Sequence, residues 1–346
     1  MTPESLIPTM EVIPVHPFWP EVLLVVTFAA HILFMNAVFG GTVIALVRGL
    51  KGQSEISREL SRKLPTLLAL TINAGVAPLL FLQTLYGNFD YPASVLMSAY
   101  WLALIGVLLL AYYGLYLYDF SYKSLSAGRR RFLLVCVIAM MVYISFMFTN
   151  NMTLMLRPEH WPDYFKNPYG TILNLDDPTI IPRYLHFFIA ALAIGGLFVA
   201  LVGSWNKDNS FIEHGMRWFV RGTLVNLVAG IWFLFSIPEN IMMKFMGQDI
   251  LSTLILVVVL IFAALMIHSG MNLRVRMAVI STVITVLLMS VERHFLRNFY
   301  LEPYFKIEHL TVSGQWTPML MFYGFVTIGI VAITYMIRLW LKAERS

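Results

Sequence analysis

Residues 183–205 read RYLHFFIAALAIGGLFVALVGSW, and this stretch decides the class of the molecule. At 1.5 Å per helical residue it is long enough to cross a hydrocarbon layer about 30 Å thick. The one side chain in it that titrates near neutrality is His186, and Arg183 at its start is always charged. A second apolar stretch, FAAHILFMNAVFGG at 28–41, holds His31 in the same way. Hydrocarbon penalises a charged group by at least about 3 kcal/mol, so such residues face a protein interior and serve function or hold helices together. A neutral imidazole in a dry helical bundle is also a common ligand for haem iron.

Composition extends this reading to the whole chain. Of 346 residues 59% are hydrophobic and 12% charged, and mean hydropathy is +0.74. Soluble domains carry about twice that charged fraction. The one cysteine, Cys136, excludes an internal disulfide, a cysteine-held iron–sulfur cluster and covalent c-type haem attachment within the chain. Any redox centre here is therefore non-covalent and held by His, Met or carboxylate. The net charge of +5 follows the membrane and gives no reason to expect nucleic acid.

Nine stretches reach spanning length, at about 21–47, 64–87, 93–118, 132–156, 182–205, 217–237, 250–268, 273–291 and 318–341. The connections at 48–63, 119–131, 206–221 and 269–276, with the tail (Arg338, Lys342, Arg345), hold 17 of the 24 Lys and Arg and alternate with the other connections. By the positive-inside rule these are cytoplasmic, which places the N-terminus outside and the C-terminus inside. Residues 1–20 hold Glu4 and Glu11 and no Lys or Arg, so they do not read as a cleavable signal. The expected localisation is the bacterial cytoplasmic (inner) membrane, multi-pass, over one domain at 1–346.

The outer connections at 157–181 and 292–317 are rich in aromatics, acids and prolines, which suggests ordered segments at the membrane surface. They read either as an interfacial aromatic belt or as a docking surface for an extracytoplasmic partner. Small residues mark close approach: Gly40-Gly41, Gly195-Gly196, and Asn73-Ala74-Gly75, which interrupts the second span. His186, Ala190 and Ala193 share one helix face, so the alanines either leave room for a macrocycle or simply pack helices.

Polar candidates gather toward the outer ends of the spans. Arg183 lies one turn before His186. Lys244 and Met246 open the seventh span, and Glu292, Arg293, His294 and Arg297 end the eighth. Cations there either anchor at the interface or offset the propionates of a haem. His31 falls near the midplane and His186 in the outer leaflet. His268 ends the seventh span where an imidazole reaches water, and His16, His160, His214 and His309 read as loop residues.

This pattern resembles subunit I of the cytochrome bd quinol oxidases. The likeness rests on Ala30-His31-Ile32-Leu33-Phe34 through Gly40 in the first span and on GVAPLLFLQTLYGNF at 75–89 in the second. In the fifth it rests on His186 through Trp205. It implies an all-α integral membrane protein whose nine transmembrane helices form two four-helix bundles plus one peripheral helix. It also implies two or three haem b groups, one of which could be of the haem d type, together with quinone or quinol. Residue by residue, His31 would match the ligand of the innermost haem, and His186 with Met246 the pair on the low-spin haem. Glu292 would match the carboxylate ligand of the high-spin haem. Lys244 would stand in the family's Arg-x-Met pattern, and Arg293 or Arg297 would be the nearby arginine.

The chain departs from that pattern in three places. Its third span has no acid before Asp119, the Gly-Arg-x-Pro-Trp run after the carboxylate is replaced by Arg-His-Phe-Leu-Arg, and the loop between spans six and seven is about a dozen residues. The expected function is therefore a quinol-linked oxidoreductase subunit carrying electrons between membrane quinol and an outer-face partner such as a c-type cytochrome. Membrane lipid and other membrane subunits complete the expected partners. A quinol-dependent oxygen reductase is the alternative, and a haem-free transporter or scaffold is a third reading.

Overall fold

All nine apolar stretches are helices, with bounds set by where the backbone loses its hydrogen bonds and not by where hydropathy falls. The computed structural model describes residues 3–52 and 54–343. Its long helices are α1 (Phe18–Leu50), α2 (Ser54–Leu96), α3 (Ser98–Phe120), α4 (Ala127–Leu154), α5 (Ile180–Asn206) and α6 (Asn209–Ser236). The short α7 (Glu239–Met243) leads through a π turn at Lys244–Gln248 into α8 (Ile250–Met271), α9 (Val275–Leu301) and α10 (Thr317–Ala343). Among the described residues nine helices are long and apolar enough to cross a membrane. The protein is a multi-pass, all-helical membrane protein. Arg345, counted with the basic tail, lies outside the described residues.

Helices α1 to α4 form one four-helix bundle and α5, α6, α8 and α9 a second, joined where α1 packs along α5. Helix α10 is peripheral: its most apolar window buries no residue, and it meets the rest through pairs such as Trp19–Tyr323 and Phe81–Phe322. Hydrocarbon provides no hydrophobic drive between helices, so close backbone packing has to supply it. A Cβ on Gly40 would lie 1.9 Å from the Ala191 carbonyl oxygen, and one on Gly195 would lie 2.4 Å from the Gly40 carbonyl carbon. Gly215 meets Gly196 and Ala200 in the same manner, and Gly222 meets Ala193. Ala193 therefore closes α5 on α6 and does not leave open space above His186.

Two boundaries differ from the hydropathy reading. Helix α2 is continuous through Asn73–Pro78 and runs on to Leu96, with its one non-helical residue at Tyr86 (φ −132°, ψ 24°). Pro92 cannot donate to Asn88 and crowds that carbonyl, and the preceding turns absorb the distortion. Helix α9 continues past 291 to Leu301, so Glu292, Arg293, His294 and Arg297 occupy helical positions. The long connection that follows α4 is ordered: its 3-10 turn Pro158–Phe165 buries Trp161, whose indole donates to the Leu154 carbonyl at 3.1 Å. The N-terminal segment pairs with the chain ahead of α10, Ile13 N donating to Thr311 O at 3.0 Å and Ser313 N to Ile13 O at 2.9 Å.

Gly195→Val is expected to separate α1 from α5 and cost at least about 2–3 kcal/mol by overpacking. Gly106→Ala, where a Cβ meets nothing within 4 Å, is expected to be neutral. Thermal unfolding in detergent, followed by far-UV circular dichroism, measures both.

Candidate functional site

The last three turns of α9 carry more buried polarity than a lipid-facing helix tolerates. Glu292, His294 and Arg297 are 5%, 8% and 7% exposed. Both carboxylate oxygens of Glu292 are buried without a hydrogen-bond partner. Native interiors pair nearly all such atoms, so an orphaned carboxylate marks a position that something else occupies or protonates. Arg293 reaches from the same turn between two neighbouring helices. Its guanidinium lies 4.2 Å from the Phe28 ring centre on α1 and 5.7 Å from that of Phe187 on α5. Those phenylalanines stand three residues before His31 and one after His186, so Arg293 packs on the helix turns that carry both histidines.

His31 points at α2. Its Nδ1 lies 3.0 Å from the Thr71 carbonyl oxygen, a bond that fixes the ring and makes Nδ1 the protonated nitrogen. The absence of a side chain at Gly75 admits the ring, since a Cβ there would lie 2.8 Å from His31 Cε1. His186 points at α6 in the same manner, and a Cβ on Gly230 would lie 3.1 Å from its Cε1. Its ring lies near-parallel to Phe233 at 6.5 Å, and the Arg183 guanidinium sits 4.9 Å from the centre of that same ring. His186 lies against the backbone carbonyl of Asn226, one turn before Gly230, as His31 lies against Thr71, whereas Arg183 Nε is buried with no hydrogen bond. Among the sequence candidates, Arg183, Glu292 and His294 thus leave buried polar atoms unpaired in the second bundle.

A polar network that hydropathy did not reveal joins α9 to α1 and α2. Tyr86 Oη donates to Asn298 Oδ1 at 2.5 Å, and Asn298 Nδ2 lies 3.1 Å from His294 Nε2. That nitrogen also faces Glu21 Oε2 at 3.9 Å. Arg297 stacks on the Tyr86 ring at 4.8 Å. Farther along α2, Gln83 Nε2 donates to Asp90 Oδ2 at 3.2 Å, while Asp90 Oδ1 is buried and unpaired. Asp90 is fully buried. It escaped the sequence reading because α2 seemed to end at 87, which left Asp90 in a loop. The available signal was the Gln83/Asp90 spacing of two helical turns, which puts both on one face.

Lys244 and Met246 do not open α8; they lie in the π turn ahead of it. Met246 is 50% exposed at φ −104°, and the next residue, Gly247, takes φ 126°, a conformation that suits glycine. Lys244 is ion-paired with Glu302 just beyond α9 and lies over the Phe299 ring at 4.5 Å. The hydrogen bond from Lys244 holds the Glu302 carboxyl below its ordinary value. A depressed carboxylate contributes stability above the ordinary range and loses it as pH falls through its folded value. The tie between the π turn and α9 is therefore expected to hold at neutral pH and to release below about pH 4. Hydrogen exchange across 244–249, corrected for intrinsic rate, should accelerate there, and Glu302→Gln should remove the pH dependence.

Against solved structures the chain is similar to a bd oxidase from Geobacillus thermodenitrificans, with a TM-score of 0.65. The match covers 94% of this chain and 98% of that one at 13% sequence identity. No protein-family model and no curated protein sequence matches the chain. The shared property is the fold: nine spanning helices in the bd-oxidase arrangement.

Proposed function

We propose that this chain is a haem-binding electron-transfer subunit of a bd-like respiratory complex in the bacterial cytoplasmic membrane. It lies with its N-terminus outside and moves electrons between membrane quinol and an outer-face redox partner such as a c-type cytochrome. One observation carries the reading. In a fold shared with a bd oxidase, Arg293 of α9 lies against Phe28 and Phe187 on the helix turns that also carry His31 and His186, and the adjacent Glu292 keeps both carboxylate oxygens buried and unpaired. Among the described residues no three His, Cys, Asp or Glu side chains converge as a bare metal site requires. The donors suit an iron already held by a macrocycle, which needs only one or two protein ligands.

Haem, when bound, supplies reversible one-electron transfer at its iron. The chain's own residues supply the rest. His31 offers Nε2, because Nδ1 is committed to the Thr71 carbonyl, a backbone tie that raises ligand basicity. His186 is held by Phe233 and offers an imidazole in the opposite helix pair. Glu292 offers an anionic oxygen. Arg183, Arg293, Arg297 and Lys244 supply cations for carboxylate substituents at the outer ends of the helices. Met246, half-exposed on the π turn, serves as the partner of His186 only if that turn folds its sulfur inward, for which the glycine at 247 gives the backbone freedom.

The second reading, a quinol-dependent oxygen reductase, is favoured by Asp90. The third helix brings no acid before Asp119 at its end, which is paired with Arg58, but α2 buries a carboxylate next to Gln83, able to hold a proton in the interior. Reduced-minus-oxidised spectra with pyridine haemochrome counting test the first proposal: two or three b-type haems per chain are expected, and their absence overturns it. His186→Ala should remove a low-spin b signal while leaving the His31 signal in place. Oxygen uptake on quinol, abolished by Asp90→Asn, would establish the second reading over the first. For orientation, Lys306→Cys should react with an impermeant maleimide from outside intact cells and Lys51→Cys should not.

A further inference from the structure

The opposite half of the molecule holds a cavity of about 490 Å³ between α1, α5 and α6. Four cations line it: Arg48 and Lys51 at the end of α1, and Arg217 and Arg221 one turn apart on α6. The lining includes no carboxylate. The acid nearest in sequence, Glu213, faces Arg217 at 3.8 Å on the exposed side of α6. Beside the cations, α6 adds His214, Trp218 and Gly222, and the wall beyond them is apolar, with Ile189 and Leu192 of α5 and Val225 of α6. Val225 is 54% exposed and stands one turn beyond Arg221, away from the basic end.

Two charges set one turn apart into a spanning helix, beside two more from a neighbouring helix, repel each other and lose hydration. A bound anion offsets both costs. The anion also has to tolerate an apolar wall that continues toward the middle of the bilayer. A phosphodiester headgroup with acyl chains meets both conditions, and basic pockets between spanning helices on the positively charged side are where such headgroups bind. We propose that this cavity is a specific site for an anionic glycerophospholipid. Its phosphate lies among Arg48, Lys51, Arg217 and Arg221, and its chains lie along Ile189, Leu192 and Val225. The site is separate from the α9 cluster and independent of the haem reading.

Native mass spectrometry and thermal shift on the full chain in neutral detergent test the site, with three probes at equal concentration. These are dihexanoyl phosphatidylglycerol, dihexanoyl phosphatidylcholine and inorganic phosphate. Phosphatidylglycerol is expected to bind one per chain and raise Tm, and the other two to do neither. Arg217→Gln with Arg221→Gln should weaken phosphatidylglycerol about thirtyfold, or about 2 kcal/mol at 1.4 kcal/mol per tenfold. Arg62→Gln, an exposed cation outside the cavity lining, should leave it unchanged. Equal binding of phosphatidylcholine would reduce the site to ordinary annular lipid, and equal binding of phosphate would make it a free-anion site; either overturns the proposal. So does undiminished phosphatidylglycerol binding in the double variant. The wild-type comparison decides the matter even if the double variant does not fold.

Discussion

The close approach of α1 and α5 at Gly40, Ala191 and Gly195 is the contact on which the arrangement rests. Side chains cannot drive helices together in lipid as they do in water, so the bundles are joined where backbones can touch. With α1 pressed on α5, and α6 on α5 through Gly196, Gly215 and Gly222, little room remains for side-chain adjustment. His31 and His186 are then held in clefts made by Gly75 and Gly230, the positions where the neighbouring helix yields space for a ring. The same small-residue economy that packs the membrane domain therefore also positions its two intramembrane imidazoles.

Helix α9 is the counterpart of that rigid seam. It carries Glu292, Arg293, His294 and Arg297 through consecutive turns and reaches α1, α2 and α5 with them. Buried charges are tolerated at such a density when they face one another, aromatic faces or a ligand. Arg293 and Arg297 are satisfied by aromatic rings, whereas Glu292 is not satisfied by any protein donor. This asymmetry singles out Glu292 within the cluster. Asp90 repeats it on α2, with one oxygen bonded to Gln83 and the other free.

The two faces of the molecule divide their work by charge. One carries the long connections, ordered by Trp161 and by the Arg157, Asn174 and Asp177 contacts. The other carries the short basic connections, where Asp119 is paired with Arg58 and the cation-lined cavity opens beside α6.

Hydropathy and charge alone determined the nine helices, their alternation, and the histidines at 31 and 186 as the anomalies to explain. Each of those is a property of a segment and its solvent. The peripheral place of α10 and the division into two bundles were implied by the family likeness and stand in the structure. Where α2 and α9 end could not be read in the same way. A helix continues past its apolar stretch when its polar residues find partners on other helices, as Tyr86 finds Asn298. For that reason Asp90 read as a loop residue, the Glu21–His294 contact was invisible, and Glu292 seemed to be a helix end. Whether Ala193 made space or filled it was likewise decided by Gly222 on another helix. Local pattern specifies what enters the membrane; only packing specifies which polar atoms are left there without a partner.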